Sequence, residues 1–93
     1  MNNGGPVGIG TILAHRIQDL CVQRNLSINR LADMSGLPQQ SIDSIIHGIS
    51  RNPKIMTIYW IARAFNMTLN EFLDYPELHE FFPDDESEEN KNG

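Results

Sequence analysis

The chain has one cysteine in 93 residues. Cys21 therefore has no internal disulfide partner, and a cysteine-based zinc site within one chain is excluded. It reads instead as a small apolar core residue. His15, His47 and His79 are too scattered to form a metal-ligand set, and His15 and His79 read as ordinary surface or half-buried side chains. No apolar run approaches the roughly 20 residues of a membrane span. The opening MNNGGPVGIG has no basic segment and no long apolar one, so it is not a secretory signal and the chain is expected to be cytoplasmic. A glycine-rich phosphate loop is missing, as are a nucleophile beside a base and a carboxylate pair in a plausible cleft. No enzymatic activity and no cofactor are therefore expected. Strand-type alternation is missing too.

Basic charge is also scarce, but unevenly so. The formal net charge is -5. Residues 1–75 carry six basic side chains against five acidic ones, whereas residues 76–93 carry one against seven. The acidity belongs to the C-terminal tail, and the rest of the chain is close to neutral. An acidic whole-chain balance therefore does not exclude nucleic acid. The length and an apolar fraction of 40% fit one modest core.

What remains is a succession of short helices. Residues 1–10, rich in Gly and Asn, read as a flexible arm. From Thr11 the pattern is helical, with Leu13, Ile17, Leu20 and Cys21 on the apolar side until Asn25-Leu26 breaks it. Ser27 is a good N-cap for a second helix over about 28–35, which Gly36 stops. Pro38 suits the first turn of a third helix, over residues 38–47. Residues 49–53 form a loop. A fourth helix carries Ile55, Ile58, Ile61, Ala62 and Phe65. Thr68-Leu69-Asn70-Glu71 has the capping-box pattern and opens a fifth, with Leu69, Phe72 and Leu73 inside. Pro76 is expected to end the regular structure. The expected domain spans 11–75, and 76–93 is an acidic tail, largely disordered by composition.

The third helix carries the functional signal. Ile42, Ile45, Ile46 and Ile49 fall at i, i+3, i+4 and i+7, which makes one apolar face. Gln40, Asp43, Ser44 and His47 hold the same spacing opposite, with Gln39 at the tip. These are short and medium hydrogen-bonding groups rather than the Lys and Glu of an ordinary solvated face. A short turn joins this helix to the second, which is the helix-turn-helix plan. In that plan the second helix lies in the major groove, where Gln pairs with adenine N6 and N7.

In this order and spacing the residues resemble the Cro/C1-type helix-turn-helix proteins, or XRE family, including lambdoid phage repressors. The resemblance covers Leu26 to Leu73, about half the chain. Its anchors are Leu26-Ser27, Leu31-Ala32, Ser35-Gly36-Leu37, Ser41-Ile42, His47-Gly48, Asn52-Pro53, Ile61 to Phe65 and Thr68 to Leu73. It implies an all-α, five-helix lambda-repressor-like domain that binds operator DNA as a two-fold dimer, on half-sites about 34 Å apart. Carried over by position, Gln39, Gln40 and Ser44 face bases. Ser27, His47, Arg51 and Lys54 face the DNA backbone, with Asn52 nearby. The implied function is a transcriptional regulator, most often a repressor, of bacterial or phage origin and working on the nucleoid. The rival is a protein-interaction module such as an antitoxin, whose acidic tail binds a basic partner protein.

Three positions depart from the family pattern. Ile28 stands where many members have a Gln that braces the third helix. Cys21 and Ile46 stand where many members pair an Arg with a Glu, so an apolar contact is expected there and no charge is stranded. Pro38 replaces a Ser or Thr cap. Outside the motif, Arg16, Arg24, Arg30 and Arg63 are expected to be solvated or paired with Asp19 and Asp33. Trp60 faces away from the expected core of the fourth helix. Either residues 76–82, with Leu78, Phe81 and Phe82, or a second subunit would cover it; the expectation is that 76–82 fold back over the fourth or fifth helix while 84–93 stay disordered.

Overall fold

Residues 8–82 are described by a computed structural model. Six helices follow in order: α1 (Ile9–Arg24), α2 (Ile28–Ser35), α3 (Gln39–Ile46), α4 (Ile55–Ala64), α5 (Leu69–Leu73) and α6 (Pro76–Phe81). No strand occurs among the described residues. The expected all-α architecture is present, and the five anticipated helices are joined by a sixth.

The helix ends have local chemical causes. Asn25 closes α1 in the left-handed conformation, φ 54°, which Asn tolerates better than most residues. Ser27 caps α2 by accepting from the Arg30 N–H at 3.0 Å. At the start of α5 the Thr68 hydroxyl accepts from the Glu71 N–H at 3.0 Å, and the Glu71 carboxylate accepts from the Thr68 N–H at 2.8 Å. The capping box read from sequence is therefore formed.

One core runs through the molecule. Ile17, Leu31, Ile42, Ile45, Ile58, Ile61, Phe65 and Phe72 are its largest fully buried side chains. Each contributes about 1.5–3 kcal/mol of apolar burial. α1 packs on α3, α2 on both α3 and α4, and α4 on α5. Cys21 is buried, and Ile28 and Ile46 pack against the same cluster. The departures at Cys21, Ile28 and Ile46 thus fill apolar space, whereas Pro38 is exposed.

Several expectations are corrected. α1 begins at Ile9, so Ile9 and Gly10 belong to the helix rather than to an arm. Pro38 is the N-cap of α3, with extended ψ of 140°, and does not sit inside its first turn. Ile49 does not share the buried face of Ile42 and Ile45. α3 stops at Ile46, and Gly48 takes φ +78°, so Ile49 lies beyond the turn and is 76% exposed. Ile55, in the first turn of α4, is exposed as well.

Pro76 opens a helix instead of ending the structure, because an N1 proline lacks only an N–H that has no intrahelical partner. α6 packs chiefly on α1 rather than on α4 or α5. Leu78 is its buried anchor, at 4% exposure, and the Tyr75 hydroxyl donates to Asp19 at 2.6 Å beside it. Trp60 therefore remains 43% exposed, and Phe81 and Phe82 are exposed too. Residues 83–93, including most of the acidic tail, lie outside the described residues, as do 1–7.

Arg30 is exposed, as expected, but the other three arginines have partners other than Asp19 and Asp33. Arg16 donates from Nε to the Phe72 carbonyl at 2.8 Å and from a terminal nitrogen to the Glu71 carbonyl at 2.9 Å. Arg24 donates to the Phe65 carbonyl, and Arg63 to the Tyr59 hydroxyl at 3.1 Å. Arg16 and Arg24 cap the carboxyl ends of α5 and α4, where unpaired carbonyls and the helix dipole both favour a cation.

Candidate nucleic-acid interface

The α2–turn–α3 unit is fixed by its own backbone. Gly36 closes α2 at φ +75° and donates its N–H to the Ala32 carbonyl at 3.0 Å. A Cβ there would meet nothing within 4 Å, so the glycine serves the backbone conformation, which costs other residues roughly 1–2 kcal/mol. The Ser35 hydroxyl donates to the Ala32 carbonyl at 3.1 Å and accepts from the Leu37 N–H at 3.3 Å. Pro38, extended, then starts α3. Its carbonyl accepts from the Ser41 N–H at 2.9 Å.

α3 is divided into two faces as its periodicity predicted. Ile42 and Ile45 are buried, and Ile46 packs against the core. Gln39, Gln40 and His47 are exposed, while Ser41, Asp43 and Ser44 are half-buried. The Gln39 amide reaches Asp43 Oδ2 only at 3.5 Å, the outer limit of a hydrogen bond. Gln40 makes no side-chain hydrogen bond among the described residues. Both amides keep their donors and acceptors for an external group. His47 Nδ1 lies 2.9 Å from the Asp43 carbonyl oxygen, so Nδ1–H is the donor. The neutral ring then offers only an acceptor at Nε2, and the imidazolium alone donates outward from that nitrogen.

The remaining candidates divide between two places. Ser44, Asn52 and Lys54 share a shallow cleft between α3, the 49–53 loop and the start of α4, together with Ser41, Ser50 and Thr57. The Ser44 carbonyl accepts from the Ile49 and Ser50 N–H groups, both at 2.9 Å, and so ties the loop to the end of α3. Arg51 and Lys54 are exposed and form no ion pair among the described residues. Ser27 lies apart, at the tip of α2 beside Leu26 and Arg30. Its oxygen accepts from Arg30 N–H, and its hydroxyl proton is still available.

Ser50 and Thr57 were not picked out from sequence, and Ser41 only as a family anchor rather than as a contact residue. Ser41 lies three residues before Ser44, and Thr57 three after Lys54, so helical spacing from each known candidate carried the signal. Ser50 is brought in by the turn after α3, which no periodicity describes.

The comparisons with known proteins agree with this geometry. A helix-turn-helix family model matches residues 17–72, from the middle of α1 to Phe72 in α5. No curated protein sequence matches the chain. Among solved structures, the crystal structure of the prophage Lp1 protein 11 is similar, at 30% identity and a TM-score of 0.70, over 76% of this chain and 93% of that one. A core with Ser27, Gly36 and the Thr68–Glu71 box at its helix ends, and a polar α3 presented by a glycine turn, places the chain in the Cro/C1-type (XRE) helix-turn-helix family of DNA-binding proteins.

Proposed function

We propose that the chain is a sequence-specific transcriptional regulator, acting as a repressor, that lays α3 in the major groove of operator DNA. The observation that carries this reading is the pair of exposed, essentially unengaged amides of Gln39 and Gln40 at the first turn of α3. A glutamine amide donates and accepts in one plane, and so matches adenine N6 and N7. Ser44, one turn further on, reads a neighbouring base. Ser27, His47, Arg51, Asn52 and Lys54 hold the DNA backbone and set register. Asp43 opposes the contact except where it accepts from cytosine N4.

The DNA-binding unit in this reading comprises α1 to α5, with α6 docked on α1. The protein binds as a homodimer on two half-sites about one helical turn apart and works in the cytoplasm on the nucleoid. Occupying the operator excludes polymerase. The acidic residues after Phe82 add nothing to DNA attraction, and they are the segment a basic protein partner would take.

The test is selection of bound fragments from random duplex DNA at about 100 mM salt, where exposed charges are screened beyond about 10 Å. Parent and Gln39→Ala/Gln40→Ala are run in parallel. A palindromic motif with the parent, blurred by the double variant, is expected. No motif with either protein would overturn the reading in favour of a protein-interaction module.

A further inference from the structure

Gly10 lies in the first turn of α1 and is buried. Its backbone is not left-handed, and helix propensity alone favours alanine there. The reason for glycine is a neighbour. A Cβ at this position would stand 2.7 Å from the Arg51 carbonyl oxygen and 2.8 Å from that of Ser50. Both are main-chain atoms and cannot rotate away. Gly8, two residues earlier, is different: a Cβ there would meet nothing within 4 Å.

The loop is therefore held on two sides. The Ile49 and Ser50 N–H groups are bound by the Ser44 carbonyl at 2.9 Å. The Ser50 and Arg51 carbonyls rest on the bare Cα of Gly10. The first hold fixes the loop to α3, and the second sets how far it stands from α1. Arg51 leaves the chain at the seated residue, with Asn52 and Lys54 just beyond.

We propose that Gly10 is a positioning residue for DNA binding: its missing side chain seats the Ser50–Arg51 backbone so that Arg51 meets a phosphate while α3 is in the groove. This role rests on reading Arg51 as a phosphate contact. An alanine at position 10 pushes the Arg51 carbonyl from 2.7 Å toward the 3.4 Å at which ordinary contact begins. Binding constellations tolerate displacements of only about 0.5 Å.

The experiment compares parent, Gly10→Ala, Gly8→Ala, Arg51→Ala and Gly10→Ala/Arg51→Ala. Affinity for a short duplex of mixed sequence is measured between about 50 and 200 mM salt; phosphate contacts are independent of sequence, so no operator is needed. Arg51→Ala is expected to flatten the slope of log affinity against log salt by about 0.9, the value of one phosphate contact. Gly10→Ala is expected to flatten it by the same amount, Gly8→Ala to leave it unchanged, and the double variant to match Arg51→Ala alone. In the free proteins, the amide resonances of Ser50, Arg51 and Asn52 should move in Gly10→Ala and stay in place in Gly8→Ala.

A flattened slope for Arg51→Ala with a parental slope for Gly10→Ala overturns the role of Gly10 alone. That role is also overturned if the loop resonances stay fixed while Ile9 to Thr11 lose their helical shifts, because the first turn has then absorbed the methyl. A parental slope for Arg51→Ala removes the phosphate contact itself, and the Gly10 role with it.

Discussion

Arg16 joins the two ends of the described chain, and its removal has a calculable cost. Its guanidinium donates to the adjacent carbonyls of Glu71 and Phe72 at 2.9 and 2.8 Å. It also stands 5.6 Å from the Phe72 ring centre and 5.1 Å from that of Tyr75. A hydrogen bond with a charged partner contributes about 1.5–3 kcal/mol. Only the bond to Phe72 is partly buried, so it takes the lower figure, about 1.5 kcal/mol. The exposed bond to Glu71 is screened and takes about 0.5 kcal/mol. The two aromatic contacts together add about 0.5 kcal/mol at such exposure. Arg16→Ala should therefore cost about 2.5 kcal/mol, or roughly 10–20 °C in the thermal midpoint of a domain this size.

Urea unfolding with an unchanged slope measures that cost directly. Arg16→Lys separates its causes, since lysine keeps the charge and the stem but cannot donate to two carbonyls in one plane. It should recover less than half of the loss. An Arg16→Ala cost below about 0.5 kcal/mol, ordinary for a surface residue, would refute the capping role. A lysine variant as stable as the parent would show that charge alone suffices.

Two further outcomes follow from α6. The hydrogen bond to Asp19, then burial, push the Tyr75 phenol up to about 12 from an ordinary 10.0. Because the folded value is the higher one, this contribution to stability is complete below pH 10 and is lost as pH rises through about 12. In a Tyr59→Phe background the phenolate absorbance should reach its midpoint near 12, and Asp19→Asn should lower it; a midpoint at the ordinary value in that background with Asp19 intact would contradict the Tyr75–Asp19 bond. Leu78→Ala removes the buried anchor of α6 and should cost about 2–3 kcal/mol, the low end for Leu→Ala because α6 can undock by itself. Amide exchange should then accelerate in residues 77–81 and remain parental in α3, whereas equal acceleration in α3 would mean that α6 is part of the central core.

Much of the candidate interface was legible because its signals are local. Gln40 falls on the side of the helix opposite Ile42 and Ile45, so burying the isoleucines exposes it, and Gln39 is exposed because it sits at the helix tip. Ile49 kept the same spacing, but it lies past a left-handed glycine, and periodicity has no meaning across such a turn. Ile55 failed for a related reason. It has helical spacing to Ile58, but the first turn of α4 projects beyond the core. Pro76 is compatible with both a helix end and a helix start, and only the burial of Leu78 against α1 decides between them.

Local sequence is enough to say where helices start and stop, and which side of each is apolar. Ser27, Gly36, Thr68 and Glu71 act on atoms within four residues of themselves, and the apolar stripes of α2, α3 and α4 repeat at the pitch of a helix. Tertiary structure alone decided what lies far apart in the chain and close in space. Arg16 meets carbonyls 55 and 56 residues away, and Arg24 one 41 residues away. α6 settles on α1 and leaves Trp60 exposed. Gly10 seats Ser50 and Arg51. These contacts depend on which loops close and which helices pack. No local pattern encodes that choice, because its free energy is shared among all the residues of the core.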